Sequence, residues 1–199
     1  MLATSGLIDP TVQIIANFAY VELAWCLGDV SLACEYVKQV TAIAARHDSA
    51  YLRLYSLACE GIGYGIVDDY DGALRTTGEA LRLLRESHVS MEFEPELLAS
   101  LAEFLARSGA THAAIETANE AIAIARKRTA RLPECRAQIT LGRALLAERG
   151  GDAINEAKSL LDGAETLIAR SGALIYEALL KEARDLLTRH IMSHDGQSV

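Results

Sequence analysis

Basic charge is scarce in this chain. Lysine and arginine number 19 against 27 acids, for a formal net charge of −8 and a pI near 5.1. That balance excludes nonspecific binding to nucleic acid or to an anionic membrane, since both need a basic surface. Only three prolines occur, and no run alternates at period two with β-branched residues, so the pattern argues for helices and against a sheet. The four cysteines, Cys26, Cys34, Cys59 and Cys135, form no C-x-x-C pair. All lie in apolar helical patterns and read as buried free thiols of a reducing compartment, which predicts a cytoplasmic protein. The opening MLATSGLIDP has no basic residue ahead of an apolar core, so it does not read as a signal peptide. Thr11 to Leu27 is apolar, but Gln13, Asn17 and Glu22 interrupt it, and it is short for a membrane span.

Chemical motifs are equally sparse. There is no G-x-S-x-G and no G-x-x-x-x-G-K-[ST]. GIGYG at positions 61–65 lacks the G-x-G-x-x-G spacing and has no strand before it, so it reads as a close helix contact at Gly61. The acids of Asp68-Asp69-Tyr70-Asp71-Gly72 lack the ligand spacing of a calcium loop and read as helix caps. His190 and His194, with Asp195 adjacent, have an i, i+4 spacing that could share a metal, but without the glutamate of H-E-x-x-H they read as a solvated tail. The sequence therefore predicts no catalytic residue, no metal site and no cofactor.

What is present is a repeated helix hairpin. From Pro95 to Arg128 two amphipathic stripes are joined by a turn at Ser108-Gly109: Leu98, Leu101, Ala102 and Leu105, then Ala114, Ile115, Ala118, Ala121, Ile122 and Ala125. The small pair Ala114/Ala121 recurs as Ala73/Ala80 and Ala157/Ala164, and as Ala33/Val40 in the first copy. The steps between first members are 40, 41 and 43 residues. A period of that size means a helical solenoid, with small residues where neighbouring helices cross closely. The units run over about 9–47, 48–88, 93–129 and 131–170, with Asp152 as the cap of the eighth helix, a capping helix over 172–190 and a frayed tail over 191–199, all within one domain. The first helix, Pro10 to Leu27, opens at Asp9-Pro10, stops at Gly28 and is apolar nearly all round, through Ile14, Ile15, Phe18, Ala19, Tyr20, Leu23 and Trp25. Such a helix needs cover on more than one side.

Leu101-Ala102, Leu105, Gly109, Ala114 and Ala121 resemble the tetratricopeptide pattern. So do Gly61, Tyr64, Ala73 and Ala80, with Asp68 in place of the turn glycine. The longer units resemble the C-terminal helical arrays of bacterial maltose-activator-type and LuxR-type ATP-binding transcription regulators and of ATPase-containing class III nucleotide cyclases, although the ATP-binding and output motifs of those proteins have no counterpart here. The expected fold is all-α, a right-handed α-solenoid of about four antiparallel helix pairs with a C-terminal capping helix. HEAT-type repeats share the period and are the architectural alternative. The resemblance further implies that the first helix of each pair lines a concave, partner-binding face. On the present register that face receives Phe18, Glu22 and Trp25; Tyr55, Ile62 and Ile66; Glu96, Glu103 and Arg107; Arg136 and Arg143. The expected function is a non-enzymatic interaction or scaffold module, the sensor or regulatory part of a bacterial signalling or transcription regulator. It would bind a protein or peptide, or a second copy of itself through the apolar first helix. The alternative is a sensor domain that takes a small effector in the concave groove.

Overall fold

The computed structural model describes residues 9–195. It contains nine α-helices among those residues and three short 3-10 turns. Two compact units divide the chain, one ending at Met91 and one beginning at Glu92.

The first unit holds α1 (Pro10–Leu27), α2 (Val30–Ala44), α3 (Ala50–Ile66) and α4 (Tyr70–Ser87). Asp9 caps α1 by accepting a bond from the Thr11 N–H, and Pro10 occupies the first turn, where its missing donor costs nothing. Asp29 caps α2 through Leu32, and Asp69 caps α4 through Gly72. The acids around position 70 thus serve helix ends. Helix α3 packs against α1, α2 and α4. The turn after α3 places Asp68 at φ 61°, the left-handed region that Gly109 occupies at φ 86° in the next hairpin. Aspartate is one of the few other residues that tolerate it.

The second unit holds α5 (Glu94–Arg107), α6 (Thr111–Lys127), α7 (Arg131–Arg149), α8 (Ile154–Ser171) and α9 (Glu177–Asp195). Helix α7 is the centre of this unit and packs against α5, α6, α8 and α9. Two expectations are corrected here. Asp152 lies inside a 3-10 turn over Gly150–Ala153 and does not cap α8, which starts two residues later with no side-chain cap. The last helix is preceded by a 3-10 turn at Leu174–Tyr176 and continues to Asp195, because Leu179, Leu180, Ala183 and Leu187 anchor it. Residues 196–199 of the expected frayed tail, and the side chains of His194 and Asp195, lie outside the described residues.

The repeat register emerges in the packing. Ala33, Val40, Ala73, Ala80, Ala114, Ala121, Ala157 and Ala164 are all 0% exposed. The matching small positions of the first helices, Val21, Gly61, Ala102 and Gly142, are buried as well. A Cβ on Gly61 would stand 2.3 Å from the Thr77 hydroxyl of α4. Small side chains therefore mark where backbones cross closely.

Cys26, Cys59 and Cys135 are buried free thiols, whereas Cys34 of α2 is exposed. Burial pushes the Cys59 thiol well above its ordinary value, with Glu22 and Glu60 adding to the effect. Burial, then Glu134, pushes Cys135 up to about 12. Among the described residues no helix is long and apolar enough to cross a membrane.

Candidate interaction surfaces

The residues expected on the concave face fall into two sets, one in each unit. In the first unit the ring of Phe18 meets Tyr55 edge-on, with centroids 5.7 Å apart at 88°. Tyr51 adds a tilted contact with Tyr55 at 4.9 Å. Glu22, Trp25, Tyr55 and Ile62 are buried, while Phe18 and Ile66 keep part of their surface. This aromatic cluster fastens α1 to α3.

In the second unit all five residues join one ionic row. Glu103 of α5 is 2% exposed. Its carboxylate accepts from Arg107 Nε at 2.6 Å, Arg143 Nη1 at 2.8 Å and Thr140 Oγ1 at 2.7 Å. Arg136 of α7, 1% exposed, donates through Nη1 to Glu96 at 3.1 Å. At the outer end Glu182 of α9 faces both Arg143 Nη2, at 3.2 Å, and Arg107 Nη2, at 3.6 Å. Burial by itself would raise the Glu103 pKa. Arg143, Arg107, the Thr140 hydroxyl and Arg136 outweigh it and hold the carboxyl at about 2. The row ties α5, α7 and α9 together, and its three acids balance its three arginines.

The position of Glu103 has a consequence in acid. Its folded pKa lies below the ordinary value of 4.5. The stabilisation is therefore fully present above that value and is lost as pH falls from there toward about 2. A circular-dichroism acid titration is expected to show helix loss in that window. Glu103→Gln should lack the corresponding component.

Glu96–Arg136 and Glu103–Arg143 are each 40 residues apart, one repeat step. Opposite charges at equivalent positions of adjacent repeats are a signal that sequence reading could have used to pair them. Thr140 and Glu182 carried no such signal. At the end of α6, Arg126 Nε meets Glu134 at 2.8 Å, and just beyond it Arg128 Nη2 meets Glu94 at 2.9 Å.

A different surface remains open in the first unit. Val12, Ile15, Ala16, Ala19, Tyr20 and Leu27 of α1 are exposed and Leu23 is half-buried. On a helix these positions share one stripe of about 140°. The opposite side, Ile14, Val21 and Trp25, is buried. The stripe carries no charge: the one charged residue of α1, Glu22, falls just past its edge beside Ile15 and is 7% exposed. Tyr20 stacks on Tyr36 of α2 at 4.4 Å, which fixes the edge of the stripe. Beside it runs a groove of about 560 Å³ between α1 and α2, lined by Val12, Gln13, Ala16, Asn17, Gln39, Ala42, Ile43 and Arg46. The all-round apolar character of α1 was legible in the sequence. Which side stays uncovered depends on where α2 and α3 pack.

The helix pairs and their repeated small crossings form a tetratricopeptide-like helical-repeat fold, and similarity to solved structures shows that fold. One is a Podosopora anserina kinesin light chain-like protein of nearly identical TPR-like repeats, with a TM-score of 0.57, 20% identity, and coverage of 96% of this chain and 99% of that one. A single-residue variant of the same protein matches with a TM-score of 0.57 and 19% identity, over 96% and 100% of the two chains. No protein-family model and no curated protein matches the sequence.

Proposed function

We propose that this chain is a non-enzymatic protein-interaction module whose docking surface is the outer face of α1. The observation that carries the reading is the uncharged stripe itself. Val12 is 58% exposed, Ile15 44%, Tyr20 47% and Leu27 66%, along one side of one helix. Contiguous apolar surface of this extent marks an interaction site. Under this reading the ionic row holds α5, α7 and α9 of the second unit together, and its partly exposed Arg107 and Arg143 are secondary contacts. The buried thiols Cys59 and Cys135, held protonated, fit a chain that performs no nucleophilic chemistry. The resemblance to bacterial regulator arrays extends the proposal: the module is the sensor or regulatory part of such a protein and binds a protein or peptide, its own copy included.

The test is capture from the native host with wild type and Ile15→Glu as baits, each first shown to be folded by circular dichroism. Partners bound by wild type should be lost by Ile15→Glu and kept by Glu86→Lys, a change on the exposed end of α4. Equal capture by all three would remove the α1 face from the account. A small effector, the other reading, would instead raise the melting temperature when added alone, by mass action.

A further inference from the structure

We infer that the occupant of the α1 face is a second copy of this chain, seated across a two-fold axis near Ala19. The inference rests on the reading of α1 as a docking surface and goes on to name the partner.

Three observations single out a copy. The first is charge. Each chain carries a formal −8, so two copies repel wherever acids meet. The α1 stripe contains no charged residue, and two copies can close on it without bringing like charges together. The second is the order of sizes along the helix. Val12 and Leu27 stand at the ends, Ile15 and Leu23 inside them, and Ala16 and Ala19 near the middle. With Tyr20 held at the edge against Tyr36 of α2, the remaining order, large ends and a small middle, is alike in both directions. Two antiparallel α1 helices about 27 Å long therefore bring Val12 onto Leu27 of the partner subunit and Ile15 onto Leu23 of the partner subunit. The small Ala19 meets its own symmetry mate, where close backbone approach needs a small residue. A self-complementary patch is what a two-fold interface requires. The third is area. The stripe offers on the order of 500 Å² of apolar surface, and the polar rim of the adjoining groove, Gln39 and Arg46 included, extends it toward the roughly 800 Å² per partner of a standard interface.

Within the first unit the chain already uses this kind of packing. Helix α1 lies against α3, the first helix of the next pair. The proposed seam places a first helix against α1 on its opposite side.

Site-directed cross-linking tests the register. In a Cys34→Ser background, which removes the exposed native thiol, Ala19→Cys should form a covalent dimer under mild oxidation. Val12→Cys alone should not, but a mixture of Val12→Cys and Leu27→Cys chains should. Val67→Cys, exposed on α3's far end at 51%, is the background control. Ala19→Cys dimer at no more than the Val67→Cys level would overturn the copy. If host partners are nonetheless lost by Ile15→Glu, the face is still a docking surface and only its occupant was misassigned. Efficient Val12→Cys self-cross-linking, with no mixed product, would overturn the antiparallel register.

Discussion

Replacing Glu103 with glutamine is expected to cost about 3–5 kcal/mol of stability, the range for breaking a buried ion pair by removing one partner. The carboxylate sits 2% exposed and receives three donors from two helices: Arg107, Arg143 and Thr140. Glutamine keeps the shape and some acceptor capacity. It removes the charge that two guanidinium groups face, leaving them to Glu182, which is 51% exposed and farther away. Chemical denaturation should show a lower midpoint with little change in slope, since the buried surface is nearly the same. Arg143→Gln should be damaging too. The double variant should cost much less than the sum, because both changes break one interaction. An additive result would mean the row is a set of independent contacts.

The second large effect is at Gly61. Its missing side chain is what lets α3 lie against α4: an added Cβ would be 2.3 Å from the Thr77 Oγ1, and Thr77 is 1% exposed, so any shift has to be made inside the core. Gly61→Ala gains about 1 kcal/mol of helix propensity but overpacks the crossing by about 1–3 kcal/mol, for a net loss. Gly61→Leu should lose about 3 kcal/mol or more. Gly78, on α4, provides the contrast. Nothing lies within 4 Å of a Cβ built there, so Gly78→Ala should stabilise by about 0.5–1 kcal/mol. Thermal melting of the two alanine variants should therefore shift in opposite directions. A stabilised Gly61→Ala would show that the α3–α4 contact is looser than described.

These residues also show how much could be read without coordinates. The crossings were legible because they leave a periodic mark: Gly61, Ala102 and Gly142 recur at one repeat step, and the paired alanines of the second helices recur with them. The helix ends were legible where a single residue sets them, as at Asp9-Pro10 and Gly28. Asp152 misled because a 3-10 turn absorbs it, and local sequence does not distinguish that turn from a cap. The five charged residues of the expected partner face lie on the first helices α5 and α7. What the sequence did not reveal is that Glu103 and Arg136 are buried. That depends on contacts between residues 37 and more positions apart, such as Thr140 with Glu103 and Arg136 with Glu96. The exposed thiol of Cys34 is a miss of the same origin, since only the packing of α2 against α3 shows that it stays open, beside Val37 in a groove between the two helices. For α1 the sequence showed a helix in need of cover, while the packing of α2 and α3 decided which stripe stays bare.

The central claim is that this bare stripe is covered by a partner subunit, and the mass of the chain in solution tests it most directly. Light scattering across a concentration series should give twice the mass of the 199-residue chain for the wild type. Ile15→Glu should give the single-chain mass with helicity unchanged. A wild type that stays at the single-chain mass at every concentration, with α1 folded, would contradict the claim.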